Sequence, residues 1–158
     1  MVFSRWHQWM YRGGHPNAMA RAINSLTAWV HSSGISRDYL VTLEVVGRKS
    51  GKTISFPLAM AVADGERYLV SMLGPEANWV QNLKTTGYQA TLRHGITERI
   101  RLQEIEVAKR PPILRAYLKV APGARPHFPV SKDAPLAEFE AVAADYPVFR
   151  VETMDSDT

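Results

Sequence analysis

Two dipeptides, Asp64-Gly65 and His94-Gly95, constrain this 158-residue chain more than any other feature. Each lies between runs of strand character, residues 53–63 and 67–72 around the first, 88–93 and 96–107 around the second. So short a link joins antiparallel neighbours only, since parallel strands need a long crossover. Residues 39–46 add a strand in which Tyr39, Val41, Leu43 and Val45 alternate with Leu40, Thr42, Glu44 and Val46, a pattern expected to be buried on most of both faces. Residues 147–151 read as a closing strand. No strand–helix–strand rhythm appears, which excludes a doubly wound parallel sheet and leaves an α+β fold with a small antiparallel barrel and flanking helices.

The remaining segments fit around those strands. Pro57 demands a break or an edge position in the second strand. In the strand over 96–107 the apolar parity changes between Leu102 and Ile105, which predicts a β-bulge near Gln103-Glu104. Asn78 is expected to cap a helix running to about Thr86, closed by Gly87. Pro111-Pro112 open another helix, and residues 136–144 a shorter one. Between them, residues 121–135 form a proline-stiffened loop of the kind that often carries function.

Charge separates the chain into parts. Residues 1–37 contain Arg5, Arg12, Arg21 and Arg37 and no acid, whereas residues 38–158 hold equal numbers of acidic and basic side chains. The net charge of +4 therefore belongs to the N-terminal quarter. Residues 1–15 read as an amphipathic helix with Phe3, Trp6 and Trp9 opposite the arginines, followed by a second helix ending near Val30. Residues 1–30 suit peripheral contact with the inner face of a membrane, or packing on the barrel. There is no secretory h-region, and the longest apolar run is far short of a membrane span, so a cytoplasmic location is expected. Residues 16–152 make up the main domain and 153–158 an acidic tail. The neutral body and thin N-terminal charge give no nucleic-acid track.

Chemistry-bearing residues gather in three places. The turn Gly47-Arg48-Lys49-Ser50-Gly51-Lys52 puts three cations and a hydroxyl between two strands, a pattern suited to phosphate or carboxylate or to a plain solvated hairpin tip. It lacks the spacing of a phosphate-binding P-loop. Ser71, Met72, Leu73 and Gly74 lead from a strand towards Asn78, Trp79 and Asn82, where Trp79 either stacks on a planar ligand or fills the core. His127 sits in the proline-rich loop. With no cysteine, and no two of the five histidines at ligand spacing, the sequence offers no metal site. No nucleophile elbow is present.

The order of these features over residues 17–151 resembles the deazaflavin-dependent nitroreductase family, quinone and nitro reductases of actinobacteria that use reduced coenzyme F-420. The resemblance rests on the cationic turn, Pro57-Leu58, Asp64-Gly65, Ser71, Asn78-Trp79 with Asn82, and Pro147-Val148-Phe149. It implies a split β-barrel related to the FMN-binding and pyridoxamine-phosphate-oxidase folds, with a homodimer as an analogous expectation. Carried over by position, Gly47, Arg48, Lys49, Ser50, Gly51 and Lys52 would meet the coenzyme's phosphate and glutamate tail. Pro57, Leu58, Ser71, Met72, Leu73 and Gly74 would flank the deazaflavin, with Asn78, Trp79 and Asn82 completing the wall. Ser71, Tyr117 or His127 would hydrogen-bond a lipophilic acceptor, and FMN is the alternative cofactor.

Two positions depart from the family pattern. Ile54 stands where an arginine is usual, and Met72 where a cation often follows the serine. The segment from Ser71 to Trp79 is also shorter than in the quinone reductases. These departures imply an alternative in which the pocket works without a cofactor and holds a fatty acid or another apolar ligand.

Overall fold

The computed structural model describes residues 39–154. The two N-terminal helices, the membrane contact expected of residues 1–30 and most of the acidic tail lie outside the described residues. Six strands, β1 (Leu40–Val46), β2 (Thr53–Ala63), β3 (Glu66–Val70), β4 (Gln89–His94), β5 (Ile96–Glu104) and β6 (Val148–Thr153), close into an antiparallel barrel in the order β1-β2-β3-β6-β5-β4. Both hairpin turns form as their dipeptides dictate. Asp64 and Gly65 adopt φ of 51° and 78°; in the second hairpin His94 still pairs with Ile96, so Gly95 alone, at φ 75°, makes the link.

Period-two alternation fills the barrel. Val41, Leu43 and Val45 of β1 point inward with Phe56 and Met60 of β2, Leu69 of β3, Leu92 of β4, Ile100 and Leu102 of β5, and Phe149 and Val151 of β6. The outward side of β1 is more open than its sequence suggests, because Thr42 and Glu44 are half-buried and Val46 is exposed. A second core lies outside the barrel. There the small side chains of Ala59 and Ala61 on β2 give room to α2 (Pro111–Val120), which presents Ile113, Leu114, Tyr117 and Leu118. Helix α3 (Leu136–Val142) adds Phe139, and the loop between them adds Phe128. Pro57 sits where β2 has a neighbour on one side only, since β2 pairs with β3 from Met60 onward and with β1 before that. The edge position expected of it is what the barrel supplies.

The predicted bulge is absent. The β5–β6 register runs without interruption from Ile100↔Thr153 to Glu104↔Phe149. The change of parity marks instead the end of β5 at Glu104, after which Ile105 turns to the outer core and Val107–Lys109 form a 3-10 turn. Strand β6 extends two residues further than expected, and Met154 still donates its N–H to Arg99 O at 2.9 Å.

Antiparallel alternation gives the barrel two distinct rims. One rim carries the hairpin tips at residues 64–65 and 94–95. Near it, Arg67, Glu98 and Thr153 share the inward parity of Leu69, Ile100 and Val151 and join three strands. Arg67 makes a bidentate pair with Glu98 at 2.8 and 3.1 Å, and the Thr153 hydroxyl donates to Glu98 at 2.9 Å. The hydrogen bonds from Arg67 are the main reason the Glu98 carboxyl is held below its ordinary value. A lowered folded-state pKa contributes stability above the unfolded value that is lost as pH falls through the folded one. Glu98→Gln is therefore expected to cost about 1 kcal/mol near neutral pH, solvent screening included. It should also flatten the loss of stability below about pH 5 that the native chain shows. Urea midpoints at several pH values decide this, and parallel pH profiles for the two proteins would refute it.

Candidate functional site

The other rim gathers the residues that the sequence singles out. It carries the β1–β2 turn, the end of β3 with residues 71–74, and α1 (Asn78–Lys84), the helix that follows them. The turn is shaped by Gly47 N–H donating to Lys52 O at 2.8 Å and Gly51 N–H to Gly47 O at 2.9 Å, with Gly51 at φ 72°. Ser50 Oγ accepts from Lys52 N–H at 3.1 Å. A Cβ on Gly47 would come within 3.0 Å of Ser50 Oγ and 3.1 Å of Ile54 Cδ1, so a larger residue there has to displace those side chains by a few tenths of an ångström. Ile54 packs against the barrel core and covers Gly47.

Arg48 ties this turn to α1. Asn82 Oδ1 accepts from Arg48 N–H at 3.1 Å and from Nη1 at 2.8 Å, and Asn78 Oδ1 accepts from Nη2 at 3.3 Å. The helix spacing of 78 and 82 puts both amides on one face. Asn78 was expected to cap α1 with its side chain. It is instead the first helical residue after Ala77, with no side-chain cap, and its amide goes to Arg48. Asn82, expected on the ligand wall, is 3% exposed with its acceptor oxygen taken by Arg48. The helix ends two residues earlier than expected, at Lys84 with Thr85 as its cap, and Gly87 at φ 65° lets Tyr88 N–H return to Leu83 O at 2.9 Å. Among the described residues no carboxylate pairs with Arg48 or Lys49.

Trp79 resolves in favour of the core. It is 1% exposed, its ring 6.0 Å from Phe56 and edge-on to Phe149 at 5.6 Å, which leaves no face for a planar ligand. Pro57 and Leu58 point to opposite sides of β2, with Leu58 against the inner core. Ser71 is 1% exposed; its N–H donates to Pro147 O at 2.9 Å and its hydroxyl to Gly74 O. Met72, Leu73 and Gly74 are half-buried, with Met72 against the outer core.

Tyr117 and His127 belong to that outer layer. Tyr117 is 3% exposed, and burial pushes its phenol well above the ordinary range, so it stays protonated. Burial also lowers the His127 imidazole, which is neutral near pH 7. The His127 carbonyl accepts from Tyr146 Oη at 2.7 Å, and Tyr146 stacks on Phe128 at 3.9 Å. The structure thus unites the turn with Asn78 and Asn82 and puts residues 71–74 on the same rim, while Tyr117 and His127 serve the layer behind.

Two features have no counterpart in the sequence reading. Arg110, 5% exposed, donates to the carbonyls of Ile105, Ala143 and Tyr146 at 2.8, 3.1 and 3.4 Å and to Glu104 Oε2 at 3.0 Å. A groove of about 450 Å³ runs along the outer wall past Tyr68, Gln103, Lys109 and Arg150. None of the expected site residues lines it; Lys109 pairs with Glu106 inside it, while Arg150 and Glu104 pair with Glu152 and Arg110 outside it.

The closed six-stranded barrel with its flanking helices is a split β-barrel of the flavin-reductase-like type. Neither a protein-family description nor a curated protein sequence matches the chain. Solved structures do. An F-420-H2 dependent reductase is similar with a TM-score of 0.50 and 18% identity, over 75% of this chain and 97% of that one. A structure described as a domain-swapped dimer matches with a TM-score of 0.51 and 18% identity, over 87% of this chain and all of the other. A 5-nitroimidazole antibiotic resistance protein from Bacteroides thetaiotaomicron matches with a TM-score of 0.50 and 10% identity, over 84% and 80%. At these identities the likeness is one of fold. Among the described residues no helix is long and apolar enough to cross a membrane.

Proposed function

We propose that this chain is an oxidoreductase that seats reduced coenzyme F-420 at the rim formed by residues 47–52, 71–74 and α1, with a quinone, a nitro compound or a similar lipophilic molecule as acceptor. The observation that carries the reading is the state of Arg48. Its partners are neutral amides, so its charge stands uncancelled beside Lys49 and matches an anionic coenzyme tail. The fold likeness to an F-420-H2 dependent reductase supports the same choice. When bound, the coenzyme would supply the hydride. Gly47, Arg48, Lys49, Ser50, Gly51 and Lys52 would bind its anionic part, and Met72, Leu73 and Gly74 would offer the half-buried edge for its ring. Ser71 could donate to an acceptor only by leaving Gly74 O. FMN would present the same class of anion and is the competing cofactor.

The fatty-acid reading has less support. The barrel interior is occupied by Leu43, Leu69, Leu83, Leu92, Ile100, Trp79 and Phe149, all at 1% exposure or less. A homodimer is proposed from the fold likeness to a domain-swapped dimer alone.

Fluorescence titration tests the coenzyme reading. Saturable binding of F-420 at micromolar concentration is expected, weaker for FMN, and reduced about threefold to tenfold by Lys49→Ala. Absence of saturation up to high micromolar coenzyme overturns it.

A further inference from the structure

We infer that Asn78 and Asn82 form a neutral clamp that makes Arg48 a pre-organised receptor for a phosphate-class anion, with Asn82 a positioning residue that acts through Arg48. The inference rests on the reading of the 47–52 turn as an anion seat, and it assigns Asn78 and Asn82 to the arginine in place of the ligand.

Asn82 is a buried amide on an otherwise apolar helix face beside Trp79 and Leu83. Burying such a group is unfavourable unless it is hydrogen-bonded. Arg48 supplies both bonds to its oxygen, one from the backbone N–H and one from Nη1. Asn78 takes Nη2 through Oδ1, and its backbone carbonyl lies 3.5 Å from Nη1. These contacts use Nη1 and one hydrogen of Nη2. The Nε–H and the second Nη2 hydrogen have no partner among the described residues. They share one edge of the guanidinium, the fork that takes two oxygens of a phosphate or carboxylate side by side. Arg48 is itself exposed, so that edge is reachable.

The choice of amide is the telling part. Aspartate at 78 or 82 would hold the guanidinium in the same geometry, and more strongly, because a carboxylate accepts charge-assisted bonds. It would also cancel the charge. An arginine needed only to fasten the turn to α1 gains from a carboxylate; an arginine that must meet an anion needs neutral holders.

Asn82→Asp separates these roles, because it preserves shape and acceptors while neutralising Arg48. Isothermal titration with pyrophosphate and with F-420, alongside thermal unfolding, is run on the native chain, Asn82→Asp and Asn82→Leu. The clamp predicts that Asn82→Asp unfolds at the same or a higher temperature yet binds pyrophosphate about tenfold or more weakly. It predicts that Asn82→Leu loses both stability and anion affinity. Equal pyrophosphate affinity in the native chain and Asn82→Asp overturns the clamp, as does a native chain that takes no pyrophosphate at millimolar concentration. If pyrophosphate follows the prediction and F-420 binds to none of the proteins, the coenzyme reading falls and the clamp stands. If Asn82→Asp binds F-420 as the native chain does, the clamp falls and the coenzyme reading stands.

Discussion

Replacing Arg110 with methionine is expected to lower the unfolding free energy by about 3 kcal/mol or more. The guanidinium lies at the junction of β5, α2 and the 3-10 turn Ala143–Asp145 that precedes β6. It donates to the carbonyls of Ile105, Ala143 and Tyr146; its removal leaves Ile105 O and Tyr146 O without a donor, while Ala143 O keeps Tyr146 N–H at 3.3 Å, and each buried orphan costs about 1–3 kcal/mol. Methionine matches the length of the stem but donates nothing. The consequence extends to the rim, because Pro147 O holds the Ser71 N–H and the Asp145 carbonyl lies 3.6 Å from where a Cβ on Gly74 would stand. Arg110→Lys should recover part of the loss, since an ammonium reaches fewer of the four acceptors than a planar fork does. Urea unfolding at constant slope measures both variants. A midpoint change equivalent to under about 1 kcal/mol for Arg110→Met would mean that other donors or water replace the guanidinium.

The second large effect is expected at Trp79. Truncation to alanine removes the ring that fills the barrel's mouth against Phe56 and Phe149, at a cost of about 3–5 kcal/mol. Trp79→Phe keeps an aromatic there and should cost about 1.5 kcal/mol or less. A core tryptophan and a ligand platform make different predictions for that second variant. Burial of the indole predicts that Trp79→Phe changes stability and leaves the affinity for F-420 within about twofold of the native chain. A tenfold change in affinity at constant stability would show that the ring meets the ligand.

What the sequence disclosed is what short-range chemistry controls. Asp64-Gly65 and His94-Gly95 dictate their hairpins through local backbone geometry, and Gly87 ends α1 in the same way. From those links and the absence of crossovers the antiparallel barrel follows. A strand that ends and a strand that bulges both bring Ile105 to the other face, and parity alone does not separate them. Trp79 was ambiguous for a related reason: one amphipathic helix position serves equally for a core ring or an exposed one. Arg48 and Asn82 are 34 residues apart, and no local pattern reports that the one needs the other. Arg110 reads in sequence as a solvated charge before Pro111-Pro112, since nothing nearby shows that the carbonyls of Ala143 and Tyr146, more than thirty residues away, converge on it. Arg67 and Glu98 did leave a trace. Each carries charge at the inward parity of its strand, beside Leu69 and Ile100, and two such exceptions on neighbouring segments are a sign of a half-buried pair at the rim.

The strand order also sets a schedule for the chain. β6 enters between β3 and β5, although almost eighty residues of sequence separate it from β3. Until residues 148–153 are present, β3 and β5 each show an unpaired edge, and Arg67 and Glu98 lack the strand that lies between them. The ladder joining β1 to β2 and the one joining β4 to β5 depend on nearby sequence and form without that wait. Closure thus rests on the pairing of greatest sequence separation, and such pairings are the slow ones. During synthesis the growing chain carries two open sheet edges for most of its length, the condition under which strands pair with the wrong partner.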